Sequence, residues 1–185
     1  VRNLMAQVGQ PDCLPTACYR CGISRTAADI DMYALQAWLL GVQLKAQHIE
    51  TTGTYEGNLD ETFLSRLARL SMFSDGPQKA VEYLSSKGIK LVVEPHFPHT
   101  KLDGAAILQS GVPVVALTLR YDRIDNYWFT LLHECAHVIK HLSEDNSLIL
   151  DDFESEAVDI REHEANVLAR DAVVPIEVWE NHKIT

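Results

Sequence analysis

The segment Leu132-His133-Glu134-Cys135-Ala136-His137 constrains this chain more than any other. It carries the pattern H-E-x-x-H in a stretch that is apolar nearly all round, with Phe129, Leu131, Leu132, Ala136, Val138, Ile139 and Leu142. On a helix, positions i and i+4 stack on one face, so His133 and His137 can reach one metal ion from the same side. The pattern alone also arises by chance, but a chance match on a solvated helix has polar flanks. A buried helix with two histidines and a glutamate has a costly polar cluster to satisfy. A metal satisfies it; the bland alternative is a core histidine pair held by hydrogen bonds. Neutral imidazole suits Zn²⁺ and leaves two positions for a third ligand and water. Glu134 flanks the metal position, where it can take a proton from that water and pass it to a leaving amine. Two histidines and a carboxylate also suit Mn²⁺, Fe²⁺ or Co²⁺.

The third ligand must come from elsewhere in the chain. His141 continues the i, i+4 series, but at about 1.5 Å per residue it stands roughly 12 Å along the axis from His133. Both cannot bind one ion, so His141 reads as a surface residue or a support for a ligand. The final helix offers Glu162, His163 and Glu164. Glu164 shares a stripe with Ile160, Leu168 and Asp171; Glu162 has similar company in Val158, Ala165 and Ala169. Periodicity does not separate the two glutamates.

The remaining pattern predicts an α+β layer arrangement. Helices are expected over 29–49, over 60–72 with Asp60 as N-cap, and over 77–87 after the Asp75-Gly76-Pro77 turn. The period then changes. Ile89 to Val93, Gly104 to Leu108 and Val112 to Leu119 read as strands, the last two joined through Ser110-Gly111. Helix returns over 127–142, opened by Asp125 or Asn126, and over about 155–172, stopping before Pro175. Residues 1–27 read as irregular. The expected division is an N-terminal arm and helix, 1–55, and a domain, 56–185.

The net charge is −10, and Ser143 to Asn166 holds nine acids against Arg161. Most of that run reads as a solvated loop. Nothing resembles a basic footprint, so direct nucleic-acid binding by this chain is not expected. No apolar run is long enough for a transmembrane helix, and Val1 to Gln10 lacks a signal-peptide core. Cys13, Cys18, Cys21 and Cys135 are too few for a disulfide framework and read as thiols of a cytoplasmic protein. Cys13, Cys18 and Cys21 are one ligand short of a structural zinc site. Cys135 reads as core, and Trp38, Trp128 and Trp179 as core or subdomain contacts. Arg120, Tyr121, Tyr127 and His163 are candidate donors to a developing oxyanion.

One known family shares this combination. HECAH, preceded by Phe129-Thr130-Leu131-Leu132 and followed by Glu162-His163-Glu164-Ala165-Asn166, Leu168-Ala169 and Val174-Pro175, resembles the ImmA/IrrE metallopeptidases. The resemblance covers about residues 60–180. It implies a compact gluzincin-like domain: a small antiparallel or mixed sheet, the HExxH helix and a downstream helix bearing a Glu ligand. It also implies zinc, with Glu164 as third ligand beside His133 and His137. Residues 16–50 look like a region of longer members that carry an upstream helix-turn-helix of the repressor or HigA-antitoxin type; none is evident here. The resemblance implies a regulatory endopeptidase that cleaves a protein partner such as a repressor, or acts beside a toxin–antitoxin switch. Two other classes remain: a catalytically silent interaction module, and a zinc hydrolase of a small molecule.

Overall fold

The computed structural model describes residues 31–150 and 160–173. Three helices come first: α1 (Met32–Gln47), α2 (Glu61–Arg69), extended by a 3₁₀ turn at Leu70–Met72, and α3 (Gly76–Ser86). Strands β1 (Lys90–Val93), β2 (Gly104–Gln109) and β3 (Val112–Leu117) follow, then α4 (Ile124–Lys140), β4 (Leu148–Leu150) and α5 (Ile160–Val173). The fold is α+β, with a four-stranded mixed sheet in the order β1-β3-β2-β4.

Side-chain alternation in the strands builds two cores. Val92, Ala105, Ile107, Val114, Ala116 and Leu148 turn to one face, where α1 covers them. Leu91, Ala106, Val115, Leu117 and Ile149 turn to the other, beneath α2, α3, α4 and α5. Because both faces are covered, β2 and β3 read as nearly continuous apolar runs rather than as alternating ones. On α1, Leu35, Trp38, Leu39 and Val42 are buried. Burying one such side chain is worth about 1.5–3 kcal/mol, so this helix is firmly docked. The division expected near residue 55 falls between α1 and α2, and α1 forms one layer over the sheet.

The β2–β3 hairpin has a two-residue link. Gln109 pairs with Val112, while Ser110 (φ 51°) and Gly111 (φ 78°) both take positive φ. A type I′ turn requires this at both central positions. Pro113 sits in β3, an inner strand, where its missing N–H is usually costly. It faces Leu108, and pairing with β1 begins only at Val114, so no ladder bond to β1 is lost there. Next to the hairpin, β1 runs parallel to β3, and β4 closes the sheet antiparallel to β2.

Several expectations shift. Asp60 caps α2 as expected, accepting from the Phe63 N–H at 3.1 Å. The HExxH helix starts earlier, at Ile124, with Arg123 at its N-cap; Asp125 falls inside the first turn and pairs with Arg123. That helix ends at Lys140. The His141 and Leu142 N–H groups both donate to the His137 carbonyl, and Asn146 Nδ2 donates to the His141 carbonyl. The chain reverses through Ser143–Asn146 and returns as β4, part of the acidic stretch expected to be a loop. The irregular stretch 1–27, Cys13, Cys18 and Cys21, the start of the last helix at 155–159, Pro175 and Trp179 lie outside the described residues.

Candidate metal centre

The centre lies where α4 meets α5. Every α4 residue from Thr130 to Val138 is buried, including His133, Glu134 and His137 at 0 % exposure. Facing them, α5 presents its two buried residues, Ala165 and Ala169. Small side chains at this i, i+4 spacing let the two helix backbones come close. Glu162 lies one turn before Ala165 and two before Ala169, so it falls on the same packed stripe.

The stripe carries Glu162 to the imidazoles. Its carboxylate oxygens stand 3.2 Å from His133 Nε2 and 3.3 Å from His137 Nε2, and the two Nε2 atoms are 3.0 Å apart. Ligand atoms held about 2.0–2.1 Å from one tetrahedral ion stand roughly 3.3 Å from one another. The three side chains therefore already have the spacing of a single ion's donor set. Among the described residues, His133, His137 and Glu162 are the group of His, Cys, Asp and Glu that could hold a metal.

The ionisation states suit a cation. Burial lowers the pKa of His137 from its ordinary 6.5, against the raising influence of Glu162, and favours the neutral, ligating imidazole. Without a metal, burial raises the pKa of Glu162, but hydrogen bonds and charge from the two imidazoles, whose Nε2 atoms then carry hydrogen, outweigh it and hold the group at about 2. A carboxylate and two imidazoles give three donor atoms of the kind a divalent metal takes.

Glu164 is not where the family resemblance placed it. Glu162 and Glu164 are two residues apart, about 200° around a helix, and cannot share a face. Glu164 lies on the outer side of α5 with Ile160, which is 72 % exposed, and its Oε2 meets His141 Nε2 at 2.9 Å. Among the described residues, Glu162 rather than Glu164, the residue expected as third ligand, is the carboxylate that lies beside His133 and His137. His141, just past the end of α4, stays outside the cluster, as expected, and lies against His137, Nδ1 to Nδ1, at 3.1 Å. Sequence reasoning missed Asn166, whose Oδ1 stands 3.1 Å from His133 Nδ1. The signal was present, because Glu162 and Asn166 are one turn apart on the stripe marked by Ala165 and Ala169.

Glu134 lies against the first residue of β2. A β-carbon added at Gly104 would stand 2.3 Å from its Oε1. The glycine therefore makes the room that the carboxylate occupies. Cys135 points the other way, into the core, where burial raises its thiol pKa. Of the candidate oxyanion donors, Tyr127 packs against the core with its ring edge on Trp128, and burial pushes its phenol up to about 12. Arg120 stacks its guanidinium 5.2 Å from the Tyr121 ring in the β3–α4 loop. His163 is exposed on α5.

Residues 86–179, half of the chain, match the peptidase M78 family model, described as the IrrE N-terminal-like domain. The match contains the whole sheet and both helices of the centre. Comparison with curated proteins and with solved structures gave no match. No described helix is long and apolar enough to cross a membrane. The HExxH helix, the Glu162 and Asn166 stripe that meets it and the family match agree: the chain belongs to the ImmA/IrrE family of metallopeptidase-type domains.

Proposed function

We propose that this chain is a zinc-dependent endopeptidase of the cytoplasm, acting on a protein partner, with a transcriptional repressor as the target class. One observation carries the reading: the donor atoms of His133, His137 and Glu162 already have single-ion spacing, beside a buried carboxylate on the same helix turn. Zinc held by those three residues supplies a Lewis acid that polarises a water and a scissile carbonyl. Glu134, fixed between α4 and Gly104, takes the water's proton on its carboxylate and delivers it to the departing amine. A structural metal site needs no such base, and its fourth position is closed by a protein ligand. Among the described residues, three such ligands come together, the number that catalytic zinc sites use.

A peptide is favoured over a small molecule by the position of β4. Among the described residues it pairs on one side only, with β2, and Leu150 faces Ala105, the neighbour of Gly104. An extended peptide adding to that edge gains main-chain hydrogen bonds whatever its sequence. The regulatory role rests on family membership.

The test compares zinc-loaded wild type with Glu134→Gln. Fluorogenic peptide libraries report turnover, and mapping of new protein N-termini in expressing cells reports targets. Wild type should cut and Glu134→Gln should not, though it keeps zinc and fold; a helix-turn-helix repressor should be among the proteins cut. Zinc-loaded wild type that cuts nothing would move the reading to an interaction module.

A further inference from the structure

We propose that Glu164 acts through His141 as a positioning pair, fixing which nitrogen of His137 carries its proton and so leaving the other free for the metal. The proposal rests on the reading of His133, His137 and Glu162 as a metal site.

The geometry gives each step a direction. An ionised carboxylate only accepts hydrogen bonds. Glu164 Oε2 lies 2.9 Å from His141 Nε2, so that nitrogen carries the hydrogen and donates it. In a neutral imidazole the other nitrogen is then an acceptor. That atom, His141 Nδ1, lies 3.1 Å from His137 Nδ1, which must be the donor. In that tautomer His137 offers the metal a bare Nε2, the atom 3.3 Å from Glu162 and 3.0 Å from His133 Nε2. One carboxylate on the outer side of α5 thus determines, across two imidazoles, the lone pair offered at the centre.

His133 is held in the parallel way. Asn166 Oδ1 accepts from His133 Nδ1 at 3.1 Å, leaving Nε2 bare. The residue that supplies the third donor and the two that orient the histidines thus all sit on α5, at positions 162, 164 and 166. Losing the Glu164–His141 pair leaves His137 free to adopt the opposite tautomer, with a hydrogen at Nε2 and no metal bond. The two faces of α5 divide the work: Glu162 and Asn166 point at the centre, and Glu164 reaches around to it through His141. This explains how a half-exposed glutamate matters to a buried ion.

Two measurements test the proposal, neither of them turnover. Zinc dissociation constants from chelator competition are compared for wild type, His141→Ala, Glu164→Ala, Glu164→Gln and Glu162→Ala. Outer partners of ligating histidines typically contribute about 10–100-fold to metal affinity, the loss expected for His141→Ala, with Glu164→Ala at the low end. Glu164→Gln should recover most of the loss, because its amide oxygen still accepts from His141 Nε2. Nitrogen-15 NMR of the zinc-loaded wild type should show His137 protonated at Nδ1 and His141 at Nε2. If His141→Ala fails to fold, the two Glu164 variants, altered at a half-exposed position, carry the comparison. Unchanged zinc affinity in His141→Ala and Glu164→Ala, with zinc lost in Glu162→Ala, overturns the pair and leaves the site standing. The opposite tautomer at His141 also overturns it. Wild type that binds no zinc overturns the site and the pair together.

Discussion

A single added methyl group at Gly104 should silence the centre without emptying it. The β-carbon of Gly104→Ala would stand 2.3 Å from Glu134 Oε1, 2.8 Å from Cγ and 2.9 Å from Cδ. Real β-carbons essentially never approach other atoms below 3.0 Å, so the carboxylate must retreat by at least about 0.7 Å. Glu134 is fully buried, and such overpacking costs about 1–3 kcal/mol. In a chain of this size each kcal/mol is worth roughly 2–4 °C, so thermal stability falls by several degrees. The loss of rate is larger, because a misplacement of about 1 Å in a reacting group costs on the order of 10²-fold. Zinc content should hold, since the three atoms the methyl group meets first all belong to Glu134 and none to His133, His137 or Glu162. The assay is peptide turnover by zinc-loaded protein, with metal content and melting temperature measured on the same samples. Wild-type turnover in Gly104→Ala would refute Glu134 as the base in this position. Zinc loss as severe as in Glu162→Ala would refute the separation of base from ligands.

Two further outcomes follow from the same structure. Burial lowers the pKa of His137, so below its ordinary 6.5 the unfolded chain takes up a proton there that the folded chain refuses. The stability of the zinc-free protein attached to this group is therefore present above pH 6.5 and lost as pH falls through the folded value; a urea midpoint that rises on that acidification contradicts it. On the far face of the sheet, Trp38 is fully buried and its indole N–H donates to the Glu94 carbonyl at 3.0 Å. Trp38→Ala should cost about 3–5 kcal/mol in urea unfolding yet leave zinc affinity intact, since α1 lies across the sheet from the centre. A loss below about 1 kcal/mol would mean that α1 is not docked.

Much of this was legible because its signals are local. The Asp60 cap, the Ser110-Gly111 turn and the apolar runs of β1, β2 and β3 appear where the residues place them. H-E-x-x-H needs only a helix to bring His133 and His137 together. What failed depended on packing. Leu148-Ile149-Leu150 is a strand because β2 offers it an edge, and three apolar residues among acids give too short a run to register. Arg123 rather than Asp125 stands at the N-cap of α4, because the helix extends one turn beyond the apolar pattern. Between Glu162 and Glu164, periodicity found apolar neighbours for both, and the resemblance favoured Glu164. Residue size held the missing information: Ala165 and Ala169 permit close helix contact, whereas Ile160 faces solvent.

The most direct test of the account is the metal content of purified wild type, Glu162→Ala and Glu164→Ala, measured by plasma mass spectrometry after zinc loading and desalting. About one zinc per chain is expected in wild type, almost none in Glu162→Ala, and metal retained, though more weakly held, in Glu164→Ala. Glu164→Ala without metal beside a loaded Glu162→Ala would contradict it.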